Sequence, residues 1–166
     1  MKNCCIIGHR RVENADRVRE RLELIYIDLI ENEGVDRFLF GSNGQFNDLA
    51  FDVLKKLRGR KVYDVTMVNY LRKGEIGWTH VDEEAYYRVG ERPPVKRFYD
   101  EVVEDGRIMG VGIRRSYVVR NQKMIDDSDI CLFYYDPHYE VSVGGNSGTR
   151  MAYEYAMSQN KKIILI

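Results

Sequence analysis

Three times along this chain a short apolar run stops at a glycine-bearing turn and gives way to helical periodicity. Cys4-Cys5-Ile6-Ile7 ends in Gly8-His9-Arg10, and Arg37-Phe38-Leu39-Phe40 ends in Gly41-Ser42-Asn43-Gly44. Ile130-Cys131-Leu132-Phe133-Tyr134-Tyr135-Asp136 precedes the turn Gly144-Gly145-Asn146-Ser147-Gly148-Thr149. Strands this apolar are covered on both faces, and strands joined through helices run parallel by right-handed crossovers. The repeat therefore restricts the chain to an α/β fold.

The helical segments agree. Val18, Leu22, Ile25, Tyr26, Leu29 and Ile30 recur at helical spacing between Asn14 and Glu33, and Gly34 supplies a left-handed stop. Phe46, Ala50, Val53, Leu54 and Leu57 give a second helix that ends before Gly59, with Asn47 as N-cap and Phe46 and Phe51 as a hydrophobic staple. Residues Lys61 to Leu71 read as a third strand, and Lys162-Ile163-Ile164-Leu165-Ile166 as a last interior one. The expected architecture is three-layer and Rossmann-like: a mostly parallel sheet of about five strands with helices on both faces.

Between Arg72 and Ser116 the periodicity is lost, with Trp78, Tyr86, Tyr87, Pro93, Pro94, Phe98 and Tyr99 scattered among charges. So long a connection serves as a cover over a site or as a subunit contact in a homo-oligomer, or else protects one sheet edge. No linker divides the 166 residues, so residues 1–166 read as a single domain with an irregular insertion at about 72–116. Lys plus Arg and Asp plus Glu both number 26, leaving no broad basic field for nucleic acid. Neither a signal peptide nor an apolar run of membrane-spanning length is present in the sequence, which points to a cytoplasmic protein without a membrane partner. The three cysteines lack metal-ligand or disulfide spacing and read as buried thiols; His80 and His138 have no helix-spaced partners, so no metal is expected.

A glycine-rich turn at the carboxyl end of a strand leaves the next helix's first N–H groups aimed outward, with the positive end of the helix dipole behind them. Several such turns along one sheet edge make a nucleotide or nucleotide-like phosphate the leading ligand class. None of them is Gly-x-Gly-x-x-Gly, and no Gly-Lys-Ser/Thr follows, so dinucleotide-cofactor and P-loop readings are weak and no cofactor is expected.

These segments resemble the SLOG superfamily, the Rossmann-like group of the cytokinin-activating LOG phosphoribohydrolases, the DprA-type DNA-processing proteins and uncharacterised bacterial proteins of the YpsA and DUF1273 kind. Cys4-Cys5-Ile6-Ile7-Gly8-His9-Arg10 is similar to the Cys-Cys-x-x-Gly-His-Arg opening of one bacterial subgroup, and Gly41 to Leu49 to its Gly-x-x-x-x-Phe-Asp-x-Leu. Asn47 stands where Asp is usual in that motif, leaving open whether Asn47 or Asp48 reaches a ligand. Arg120-Asn121-x-x-Met124-Ile125-Asp126-x-Ser128-Asp129 and Ser147-Gly148-Thr149-x-x-Ala152-x-x-Tyr155-Ala156 look like its second-half signature. The resemblance implies a phosphate cradle at Gly41 to Gly44 and Ser147 to Thr149 with Arg120 as counter-charge. Yet Ala152 fills the position of the LOG catalytic Glu, and glycosidic cleavage generally needs a carboxylate beside the sugar. Glu154 lies about 200° around the helix from that position and reads instead as an i,i+4 partner of Arg150.

Three readings follow. A module that binds a nucleotide-derived phosphorylated ligand leads. A hydrolase or transferase acting on a nucleotide's N-glycosidic bond is the alternative, with Asp48, Asp136 or Glu154 supplying the carboxylate. Single-stranded DNA binding over Arg114, Arg115 and Arg120 is the third. Residue by residue, Arg120 serves a ligand or pairs with a carboxylate such as Asp136, and Asn121 meets a ligand or bonds a backbone turn. His9 binds a base or phosphate or is a solvated or satisfied turn residue, beside Arg10 at the strand end. Asp136 takes a ribose hydroxyl or caps a helix, while Tyr134 and Tyr135 split between the sheet faces.

Overall fold

The computed structural model describes residues 1–41, 44–88, 97–138 and 148–166. They form a six-stranded, all-parallel sheet from β1 (Asn3–Gly8), β2 (Arg37–Phe40), β3 (Thr66–Tyr70), β4 (Glu101–Val103), β5 (Ile130–Tyr134) and β6 (Lys162–Leu165), in the order β4-β3-β2-β1-β5-β6. The helices are α1 (Ala15–Glu31), α2 (Gln45–Lys61), α3 (His80–Arg88), α4 (Gly106–Met109), α5 (Ile113–Asp126) and α6 (Gly148–Ser158). The Rossmann-like α/β reading holds. Among the described residues no helix is long and apolar enough to cross a membrane.

Strand alternation builds the two apolar layers. Cys4, Ile6, Phe38, Phe40, Leu132 and Tyr134 face α1 and α2, while Cys5, Ile7, Leu39, Val68, Cys131 and Phe133 face α4, α5 and α6. The three cysteines are free and buried, as their apolar strands required. Tyr134 and Tyr135 fall on opposite faces: Tyr134 stacks with Phe46 at 5.3 Å, and Tyr135 stacks with Tyr153 at 5.1 Å.

The sixth strand comes from the segment read as irregular. β4 has only Val102 and Val103 as strand-like residues, and charge pairs fix it at the edge instead. Arg37 forms a bidentate pair with Glu101 at 3.0 and 2.9 Å, and Asp100 accepts from Arg58 at 2.5 Å and from the Met67 N–H at 2.7 Å. The same segment holds α3 and α4.

Helix α2 departs from expectation at both ends. It starts at Gln45 with Gly44 as N-cap, so Asn47 lies inside the first turn, and Phe46 and Phe51 are both core residues within the helix rather than a staple across its start. The Gln45 N–H donates to the Arg10 carbonyl at 2.8 Å and its Oε1 accepts from the Val12 N–H at 2.8 Å, so docking against the β1–α1 loop replaces a side-chain cap. At the other end α2 runs through Gly59 to Lys61 and stops at Val62, which is left-handed with φ 56° and 87% exposed. The third strand accordingly begins at Thr66 rather than at Lys61. A β-branched residue in the left-handed region costs about 1–2 kcal/mol. Val62→Gly is therefore expected to raise stability by about 1 kcal/mol, read as a higher denaturation midpoint at unchanged m-value; a lower midpoint would show that the turn is unstrained.

In this strand order β1 has β2 on one side and β5 on the other. The direction of winding reverses there, which opens a crevice at the strands' carboxyl ends.

Candidate functional site

A cavity of about 390 Å³ occupies that crevice. Ile6, Ile7, Gly8, His9 and Arg10 come to it from β1 and the turn after it, Gly41 from the end of β2, and Asn47 from the first turn of α2. Tyr117, Val118, Arg120 and Asn121 line it from α5, and Gly148 and Thr149 from the start of α6. Its lining therefore holds two arginines and no carboxylate among the described residues.

Of the residues singled out from the sequence, Gly8, His9, Arg10, Gly41, Arg120, Asn121, Gly148 and Thr149 line this one space. Ser42, Asn43 and Ser147 lie outside the described residues. Gly44, Asp48 and Asp136 are not in the lining. Asp48 sits 3.4 Å from Arg97 and has 40% of its side chain exposed, with burial pushing its carboxyl up and Arg97 pulling it down. Asn47, its neighbour, is the one at the cavity wall. Only 8% exposed, it lies beside Tyr99 and Asp48, and neither amide atom closes a hydrogen bond of normal geometry among the described residues.

The glycines serve four different purposes. A Cβ on Gly8 would stand 2.2 Å from Phe46 Cδ1 and 2.9 Å from Tyr134 Cβ, so packing of the Phe46–Tyr134 stack, rather than approach of a ligand, excludes a side chain there. Gly41 gives room to Arg120, whose Cζ and one terminal nitrogen lie 3.2 Å from where a Cβ would be. Gly44, at φ 116° and ψ 155°, occupies a region open essentially to glycine alone, with Arg10 Cα 3.2 Å from its missing Cβ. At Gly148 an added Cβ meets nothing within 4 Å among the described residues.

His9 is 2% exposed and so is not solvated. Its Nε2 accepts from the Asp136 N–H at 2.8 Å, which places the ring proton on Nδ1 and ties the end of β1 to the end of β5. The Asp136 carboxylate accepts from the His138 N–H at 2.9 Å, a local turn contact.

Arg120 is 4% exposed and pairs with Glu75 at 3.3 Å, so the carboxylate beside it comes from the segment after β3 rather than from Asp136. Glu75 also accepts from the Arg72 N–H at 2.8 Å and has Arg72 Nε at 3.8 Å. The Tyr117 ring gathers three guanidinium groups, with Arg72 at 4.7 Å, Arg120 at 4.9 Å and Arg10 at 5.4 Å from its centroid. Burial pulls the Arg120 guanidinium below its usual range, opposed by Glu75 and Tyr117. Arg114 and Arg115 are exposed at the start of α5 and do not join buried Arg120 in one groove.

Ala152 is 3% exposed and packs into the apolar layer beneath α6, outside the cavity lining. Glu154 is exposed and pairs with Arg150 at 2.9 Å, as its i,i+4 spacing required. His80 bonds Glu83 at 3.2 Å and Asp100 at 3.0 Å, and among the described residues no three side chains are grouped to hold a metal.

Sequence reasoning missed Glu75 and Arg72, which sit in a segment without periodicity, and Tyr117. The signal for Tyr117 was its i,i+3 spacing from Arg120 on a helix leading to a strand.

No protein-family model matches the chain, and no curated protein matches it in sequence. In three dimensions the chain is similar to the X-ray structure of TM1055, a Northeast Structural Genomics Consortium target. The TM-score is 0.59 at 13% identity, over 98% of this chain and 72% of that one. The likeness establishes the Rossmann-like fold.

Proposed function

We propose that this chain is a SLOG-like single-domain binding module that holds a nucleotide or nucleotide-derived phosphorylated molecule in the cavity at the carboxyl end of β1. The observation that carries this reading is the lining itself. A space of about 390 Å³ at the switch in winding direction brings together Arg10, which has no carboxylate partner among the described residues, Asn121, Thr149 and the start of α6, beside Arg120 with its partner Glu75. An anion is the charge such a lining accepts, and helix starts at strand ends are where phosphate is held in this architecture. The cavity is within the size range of small-molecule sites.

The phosphate belongs at Gly148 and Thr149. The first N–H groups of a helix lack an intrahelical acceptor, and an added Cβ at Gly148 meets nothing within 4 Å among the described residues. Asp48, Asp136 and Glu154 all lie outside the lining, so none of them stands ready as the carboxylate that glycosidic cleavage asks for.

Gly148→Val is expected to abolish binding of a nucleoside 5′-monophosphate in calorimetry while leaving the melting temperature close to wild type, since an added Cβ there meets nothing within 4 Å among the described residues. Equal affinity in the folded variant would remove the phosphate from this helix start. Release of free base from purine monophosphates, lost in the same variant, would assign hydrolysis instead.

A further inference from the structure

We infer that the cavity has a second anion subsite, formed by the Arg10 guanidinium and the Tyr117 hydroxyl, on the opposite side of β1 from the start of α6. The charge inventory around Tyr117 is the basis. Three guanidinium groups surround the ring, and Glu75 is the carboxylate among them. Glu75 is committed to Arg120 at 3.3 Å and to Arg72 through the 2.8 Å backbone bond and the 3.8 Å ion pair. Arg10 is the surplus cation. It is exposed, donates to the Tyr117 hydroxyl at 2.8 Å, and has no carboxylate partner among the described residues. An accepting hydroxyl keeps its own proton to donate, so Arg10 and Tyr117 together present a charged and a neutral donor to the cavity that both line.

The place of this pair is fixed. The Arg10 carbonyl accepts from the Gln45 N–H at 2.8 Å and its Cα packs against Gly44, so the arginine stands on the β2 side of β1. Gly148 and Thr149 begin the helix that follows β5, on the other side. The two sets of donors come from different elements, Arg10 and Tyr117 from the turn after β1 and from α5, Gly148 and Thr149 from α6. The ligand class that uses both is a molecule with more than one anionic group. This conclusion about the ligand rests on the α6 phosphate site proposed above, whereas the Arg10–Tyr117 subsite stands on its own residues.

The test is a ¹H–¹⁵N NMR titration with inorganic phosphate of the wild type, Arg10→Gln, Tyr117→Phe and Gly148→Val, with melting temperatures recorded to confirm folding. Wild type is expected to show two saturable sets of shifts, one around residues 10 and 117 and one around 148 and 149. Arg10→Gln should weaken the first set about tenfold or more, the effect of losing a charge-assisted bond, and leave the second. Tyr117→Phe, which keeps the ring beneath Arg72 and Arg120, should weaken the first set by a smaller factor. Gly148→Val should remove only the second, and loss of the second set alone from every titration would sink the α6 site while the Arg10 subsite stands. If phosphate shifts only residues near 148, or if Arg10→Gln leaves the first set at wild-type affinity, the second subsite is wrong and the proposed function survives. Absence of both sets overturns both.

Discussion

Arg120→Ala should destabilise the fold by about 3 kcal/mol or more, the consequence of leaving a buried charge without its partner. The Arg120 side chain is 5% exposed and that of Glu75 13%, so water replaces little of the lost pair, and Arg72 Nε stands 3.8 Å from Glu75. The double replacement Arg120→Met with Glu75→Leu removes both charges and should recover most of the loss. Chemical denaturation of the three proteins measures this. Exposed Arg150, in its surface pair with Glu154, provides the contrast, since such pairs contribute roughly 0–1 kcal/mol. If Arg120→Ala loses no more than Arg150→Ala, the buried pair is not structural and Arg120 is freed for a ligand.

Gly8→Ala is expected to cost about 3 kcal/mol, at the upper end of ordinary overpacking. The new methyl would lie 2.2 Å from Phe46 Cδ1, and Phe46 cannot retreat easily because it is fully buried and stacked on Tyr134. Movement of Phe46 would also disturb the start of α2, which docks on Arg10 one turn away. In a Phe46→Leu background the same Gly8 substitution should cost clearly less, because the two changes share one contact. A Gly8→Ala protein as stable as wild type would place the need for glycine at the ligand instead of in the core.

The strand runs were legible because their residues alternate between two apolar layers, and a run such as Ile130–Tyr134, buried throughout, has no other use than an interior strand. β4 was not legible. Its pairing is set by Glu101 meeting Arg37 of β2 and Asp100 meeting Arg58 of α2, and long-range ion pairs leave no local periodicity. The end of α2 was misplaced for a related reason: Gly59 reads as a stop, yet the helix continues to a strained Val62.

At the site, strand-end glycines pointed to the edge of the sheet where the cavity lies without revealing why each is a glycine. Gly8 and Gly41 make room for Phe46 and Arg120, contacts between residues distant in sequence. The partner of Arg120 was unreadable because Glu75 lies in a segment whose position depends on the edge strand it leads toward. Asn47 and Asp48 were adjacent alternatives, and only the helix's true start, three residues earlier than its cap suggested, turns Asn47 to the cavity and Asp48 to Arg97.

The central claim is that the cavity at the end of β1 holds a phosphorylated small molecule. It is tested most directly by exposing wild type and Gly148→Val to the same cell metabolite extract, washing both, and identifying by mass spectrometry what each releases on denaturation. Wild type should release a phosphorylated molecule that the folded variant does not retain. Release of the same molecules in the same amounts by both proteins, or enrichment of unphosphorylated molecules alone, would contradict it.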